Sequence, residues 1–151
     1  MLKFREIGTY KNAVNVGYCT ADVELHNGNV VTFDRVTKKA ALPANGKETG
    51  LAIVMNTIDK PETLSPNDFV VAVGENPRLF VLSSIKGRII DMDMDQVDGT
   101  YATLKENDKL IVTDKGKLKV TTDTTGYSEY FKVIEKTGFN GEGLAVEVVI
   151  A

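Results

Sequence analysis

Residues 91–98 read Asp-Met-Asp-Met-Asp-Gln-Val-Asp, with four carboxylates in eight positions and the first three at every second residue. Carboxylates at that density are the usual material of a cation site. An EF-hand loop takes oxygen ligands from positions 1, 3 and 5, turns sharply at a glycine in position 6 and closes with a bidentate glutamate at position 12. Counted from Asp91, the first three ligands are present, but position 6 is Gln96 and position 12 is Ala102. The turn and the clamping carboxylate are both missing. In an extended strand, Ile90, Met92 and Met94 point to one face and Asp91, Asp93 and Asp95 to the other. Carboxylates on one face of a strand stand about 7 Å apart, too far for one ion to gather three at the roughly 2.3–2.6 Å that calcium needs. The expectation is a strand with a solvated acidic face, no metal, and protection against edge-to-edge pairing.

Other reactive side chains are few. His26 is the one histidine and lies beside an Asn-Gly turn, so no His-based metal site can be built from it. Cys19, the one cysteine, sits between Tyr18 and Thr20 in a strand-like stretch and reads as a buried structural residue; no intrachain disulfide can form. The glycine-rich piece Thr137 to Gly143 runs into Leu144-Ala145-Val146 rather than into the Lys-Ser/Thr and helix of a phosphate loop, and reads as a hairpin connection. No Gly-x-Ser-x-Gly elbow appears. Tyr127, Tyr130, Phe131 and Lys132 cluster, and Lys115, Lys117 and Lys119 line one side of a turn, but Asp108, Asp114 and Asp123 balance them. Nucleic-acid binding is therefore not expected, since it depends on net phosphate neutralisation. No catalytic residue and no cofactor emerges, and the chain reads as a non-enzyme.

The elements that would position these residues are strands. Ten apolar runs, rich in β-branched residues, begin with Val14-Val16-Tyr18 and continue through 29–33, 51–55, 69–73, 78–84, 87–95, 109–113, 117–121, 130–135 and 144–150. Most alternate at period two or form a continuous Val/Ile/Leu stretch. His26-Asn27-Gly28-Asn29 and Asp114-Lys115-Gly116-Lys117 supply the Asn or Gly residues a tight hairpin needs. No window of twelve residues carries the helical apolar spacing. The expected fold is all-β, a sandwich or barrel of about ten short strands, jelly-roll-like or β-tulip-like, with little or no helix. It forms a single β-rich domain over 1–151, with two lobes (1–58 and 68–151) joined by the loop 59–67 as the possible subdivision. A weak echo at an offset of 80 pairs Asp34, Lys39, Gly46 and Thr57 with Asp114, Lys119, Gly126 and Thr137, and hints at two related sheets.

The chain's 151 residues are enough to bury a core without staples, and its net charge of −3 is not that of a protein that coats nucleic acid. Lys3, Arg5 and Glu6 interrupt the apolar run that a secretory signal would need, and no stretch is apolar for the ~18 residues of a membrane span. The expectation is synthesis in the cytoplasm and no membrane partner.

The stretch Leu104 to Ile150 carries a more specific pattern. A strand pair with a short Asp/Gly turn (K-L-I-V, then D-K-G-K-L-K-V-T) is followed by V-I-E-K-T-G-F-N-G and a last apolar strand, L-A-V-E-V-V-I. This resembles the C-terminal pattern of the capsid decoration (cement) proteins of tailed bacteriophages. The resemblance covers the last third of the chain and holds no catalytic signature. It implies a virion structural protein on the capsid surface, made in the host cytoplasm, that binds the assembled lattice of the major capsid protein and stabilises it without catalysis. Such proteins often act as a homotrimer at three-fold positions. Leu2, Phe4, Ile7 and Tyr10, apolar and separated by charged or turn residues, form the candidate capsid-contact arm, with an added edge strand as the plainer alternative. If they form an arm, removing residues 1–10 leaves a folded protein that no longer binds shells. The alternative reading of the whole chain is a small β-barrel binding module for nucleic acid or carbohydrate.

Overall fold

A computed structural model describes residues 1–60, 62 and 65–151 of the chain. Pro61, Thr63 and Leu64, and with them part of the 59–67 connection between the two expected lobes, lie outside the described residues. The strands, in order, are β1 (Leu2–Phe4), β2 (Asn15–Val16), β3 (Thr20–Ala21), β4 (Leu25–His26), β5 (Val30–Asp34), β6 (Lys39–Ala41), β7 (Ala52–Val54) and β8 (Val70–Val71). They continue as β9 (Leu79–Val81), β10 (Ile89–Asp93), β11 (Val97–Asp98), β12 (Lys109–Val112), β13 (Leu118–Thr121), β14 (Glu129–Thr137) and β15 (Gly143–Ile150). One α-helix, α1 (Ile7–Asn12), and three short 3-10 turns complete the described elements. The fold is all-β, as the patterning required. Every one of the ten apolar runs contains a strand. The five that patterning missed (β1, β3, β4, β6 and β11) are two or three residues long, too short to show a period.

Two sheets face each other. One runs β1-β10-β15-β14-β12-β13-β11, the other β2-β9-β7-β5-β6-β3, and the ribbon β4-β8 stands apart. Between the sheets lies the main core, to which the first brings Ile90, Leu110, Phe131 and Val146 and the second Val30, Ile53 and Phe80. The second sheet is buried on its other side too. Val31, Ala52, Val54, Leu79 and Val81 alternate with the first set and pack with Leu25 of β4, Val71 of β8, Phe69 just before it and Cys19. Burial on both faces explains why 51–55 and 79–82 read as unbroken apolar runs, whereas β14, with one face wetter than the other, alternates over its first half.

The offset-80 echo has a topological counterpart. The hairpin β5–β6 is matched by β12–β13, and β7 and β14 flank the first strand of each hairpin. β3 and β11 run parallel to the second strand, and β9 and β15 add antiparallel to β7 and β14. The same five-strand connectivity is used twice, once in each sheet.

Turn chemistry divides the two hairpin candidates. Asp114 to Lys117 does connect the paired strands β12 and β13, with Gly116 at φ +68° and its N–H donating to the Thr113 carbonyl at 2.9 Å. A Cβ at Gly116 would stand 2.7 Å from the Val30 carbonyl oxygen, so glycine is needed for the turn and for contact between the sheets. Asn27-Gly28 is not a hairpin, although Gly28 takes φ +96°. β4 pairs with β8 and β5 with β6 and β7, so the turn sends the chain from the ribbon into the second sheet.

Candidate functional site

The aspartate ladder is a strand, but its acidic face is not wet. β10 lies inside the first sheet, hydrogen-bonded to β1 on one side and β15 on the other, and not at an edge. Ile90 and Met92 enter the core as expected, while Asp91 and Asp93 on the opposite face are only 7% and 6% exposed. On β15 the residues opposite Asp91 and Asp93 are Ala145 and Gly143, which leave room for cationic covers. Arg5, just past β1, holds Asp91 through two of its guanidinium nitrogens (Nη2 to Oδ1 2.7 Å, Nε to Oδ2 3.3 Å) and reaches Glu135 of β14 with the third, Nη1, at 2.7 Å. The Met1 ammonium lies 2.9 Å from Asp93 Oδ2, and the Asn140 amide donates to the same oxygen at 2.8 Å. Burial pushes the Asp93 carboxyl up, but the Asn140 amide and the N-terminal ammonium outweigh it and hold the carboxyl below its ordinary value. Asp95 turns away, its N–H bonded to Asp93 Oδ1, and Asp98 lies 3.9 Å from Lys117. Among the described residues no group of three or more His, Cys, Asp or Glu side chains converges as a metal site would require. The ladder therefore acts as a clamp that fixes the chain's start and the β14–β15 loop to the sheet.

The same contacts hold the N-terminal segment, the candidate capsid-contact arm, against the sheet as an edge strand. Leu2 and Phe4 lie in β1, and Phe4 is buried edge-on against Tyr10 and Phe80, with ring centroids 4.7 and 5.1 Å away. Tyr10, on α1, packs on the core and accepts the Phe4 N–H at its hydroxyl, 3.2 Å away. Of the four arm residues, Ile7 alone projects, at 88% exposed. Leu2 and Phe4 on β1, with Thr9 and Tyr10 turned inward from α1, seat an edge strand and a short helix on the core.

Cys19 is fully buried, its Sγ 3.8 Å from the Asp34 carbonyl, and burial raises its thiol pKa. The imidazole of His26 lies 3.6 Å from Glu24, so the two residues have different partners. The glycine-rich piece is the β14–β15 hairpin connection. Of the aromatic cluster, Phe131 is core, whereas Tyr127 carries the Lys47 ammonium over its ring at 5.2 Å. Tyr127, Asn45, Ile111, Asp114 and Lys119 line an open cleft of about 330 Å³.

Sequence patterning missed the polar groups that join the sheets. Glu129, 4% exposed at the start of β14, accepts the Gly50 N–H at 3.0 Å and the Leu51 N–H at 2.7 Å, one on each carboxylate oxygen. Burial raises its pKa, and the two N–H groups only partly offset this. Asn29 donates to Gln96 at 2.7 Å across the sheets, and Asn27 exchanges two bonds with the Asn56 backbone, in place of a strand partner. An amide or carboxylate beside a turn normally reads as solvated, so no local pattern separates these from surface residues.

Comparison with protein-family models, with curated proteins and with solved structures found no match.

Proposed function

We propose that this chain is a virion structural protein that binds the assembled capsid of a tailed bacteriophage and stabilises it, without catalysis, as a homotrimer docked on the major capsid protein. The observation that carries this reading is the strand-and-turn pattern of residues 104–150, which resembles that of capsid decoration proteins. Two features of the fold support it. The pattern lies in the strands β12 to β15 at the centre of the first sheet, so the part that carries the resemblance is also the part around which the rest is built. The outermost strands of both sheets are two or three residues long, which leaves little open edge for pairing with other chains and leaves contact to side-chain surfaces.

The experiment is a challenge to the shell. Heads assembled from the major capsid protein of the same genome are heated with and without the purified chain. The proposal predicts that shells carrying it release their contents at a higher temperature. Identical release curves, with the chain shown to be folded, would overturn it. The alternative of a binding module for nucleic acid or carbohydrate would act at the cleft beside Tyr127, where an aromatic wall meets one anion, one cation and one amide.

A further inference from the structure

The capsid-docking reading leaves open which surface makes the contact, since the N-terminal segment is packed into the fold. The strongest candidate is the end of the second sheet around β3. Val36 is 90% exposed and Val73 66% exposed, the first in the β5–β6 turn and the second in the turn that follows β8. Both turns are hydrogen-bonded to β3 at successive residues: Thr20 N–H donates to Lys38 (2.9 Å), Ala21 N–H to Glu75 (2.8 Å) and Gly74 N–H to Ala21 (2.9 Å). Tyr18, 43% exposed, immediately precedes this segment.

Neither turn is loose. The Asp34 carboxylate accepts the N–H groups of Val36 (2.6 Å) and Thr37 (3.0 Å), and Lys38 takes φ +55° to close the hairpin. Arg35 donates to the Tyr18 hydroxyl at 2.8 Å while lying over the Phe33 ring at 5.4 Å. In the second turn, Glu75 accepts the Ala72 N–H (2.9 Å) and pairs with Lys60 (2.9 Å). Exposed valines usually stand alone and mean nothing. Here Val36 is held on a hydrogen-bonded turn beside a fixed tyrosine and arginine, side chains often found as anchors in protein interfaces, and Val73 on a second hydrogen-bonded turn across β3. Pre-set geometry lowers the ordering cost of association.

The charge around the tip names the kind of partner. Asp34 is taken up by backbone donors, and Lys39 is paired with Asp22 at 3.5 Å. Arg35 and Lys38 have no carboxylate within ion-pair distance among the described residues, and against the ionised Asp34 of the same turn they leave one excess positive charge at the tip of a molecule of net charge −3. We propose that this end of the second sheet, with Val36, Val73, Tyr18, Arg35 and Lys38, is the docking surface, and that it fits an apolar socket with an acidic rim on the capsid lattice. A polyanion alone would satisfy the charges but not the two valines. The inference rests on the capsid-docking reading.

The test is co-sedimentation of purified variants with assembled shells, each variant first shown by circular dichroism and melting temperature to fold as wild type. Val36→Asp and Val73→Asp are expected to weaken binding by about tenfold or more, Arg35→Glu to weaken it similarly, and Ile7→Asp, on the helix, to leave it unchanged. If the wild type binds shells and the two valine variants bind equally well, the surface is wrongly placed and the docking reading stands. If Ile7→Asp alone loses binding, the contact lies at the N-terminal helix and the assignment is overturned. Full competition by heparin, with the valine variants unaffected, would replace the socket by a polyanion. If the wild type binds no shells, the docking reading itself fails.

Discussion

At the scale of single residues, the chain spends its buried carboxylates on holding itself together. Glu129 accepts two backbone N–H groups of the 50–51 segment at the start of β14. Glu129→Gln would turn an amide N–H2 toward one of those donors, and a loss of about 1–3 kcal/mol is expected in urea unfolding. The pH signs follow from the directions of the shifts. The Glu129 pKa is raised above the ordinary 4.5, so its contribution is complete below 4.5 and falls away as pH rises through the raised value. The Asp93 pKa is lowered below 3.8, so its contribution is present above 3.8 and is lost as pH falls through the lowered value. Unfolding followed against pH should show Asp93→Asn removing part of the acid-side loss and Glu129→Gln removing part of the decline above 4.5. Because Asp91 and Asp93 are already occupied by Arg5, the N-terminal ammonium and Asn140, millimolar calcium should leave the melting temperature unchanged. A rise would mean that the ladder binds the ion after all. The spacing of the aspartates showed a strand and no calcium loop. It could not show that the strand lies inside the sheet, because the cationic covers come from residues 86 and 92 positions away.

At the scale of elements, the first ten residues decide between an arm and a strand. β1 supplies the outer hydrogen bonds of β10, and Phe4 and Tyr10 complete an aromatic cluster with Phe80. Removing residues 1–10 should therefore cost the fold and not merely a contact. Circular dichroism should show loss of native structure or a much lower melting temperature, and Phe4→Ala alone should cost roughly 3–5 kcal/mol. A truncated chain that melts like the full one would restore the arm. The hairpin β12–β13 was legible because its Lys-Gly turn joins two runs that pair directly. Asn27-Gly28 misled because positive φ marks a turn without saying whether the strands on either side meet. β3, β4 and β11, with two residues each, are held by partners far away in the chain and carry no signal of their own.

At the scale of the whole molecule, the two related sheets do not stand alone. Residues of both line one core, and Glu129 with Gly50 and Leu51, Asn29 with Gln96, and the Val30 N–H donating to Gly116 at 2.8 Å tie one sheet to the other. Urea unfolding followed by far-UV circular dichroism and by tyrosine fluorescence should give one coincident transition; two separated transitions would make the sheets independent lobes. Fold class was legible because strand runs and turn residues are local properties. The surface proposed for docking was not, because it is assembled from two turns that only the fold brings to β3. The most direct test of the account is a saturation measurement on assembled shells, counting bound copies per capsid subunit as the chain is added. The account predicts saturation at one fixed ratio set by the lattice, with no binding to dissociated subunits. Uptake that never saturates, or equal affinity for free subunits, would contradict it.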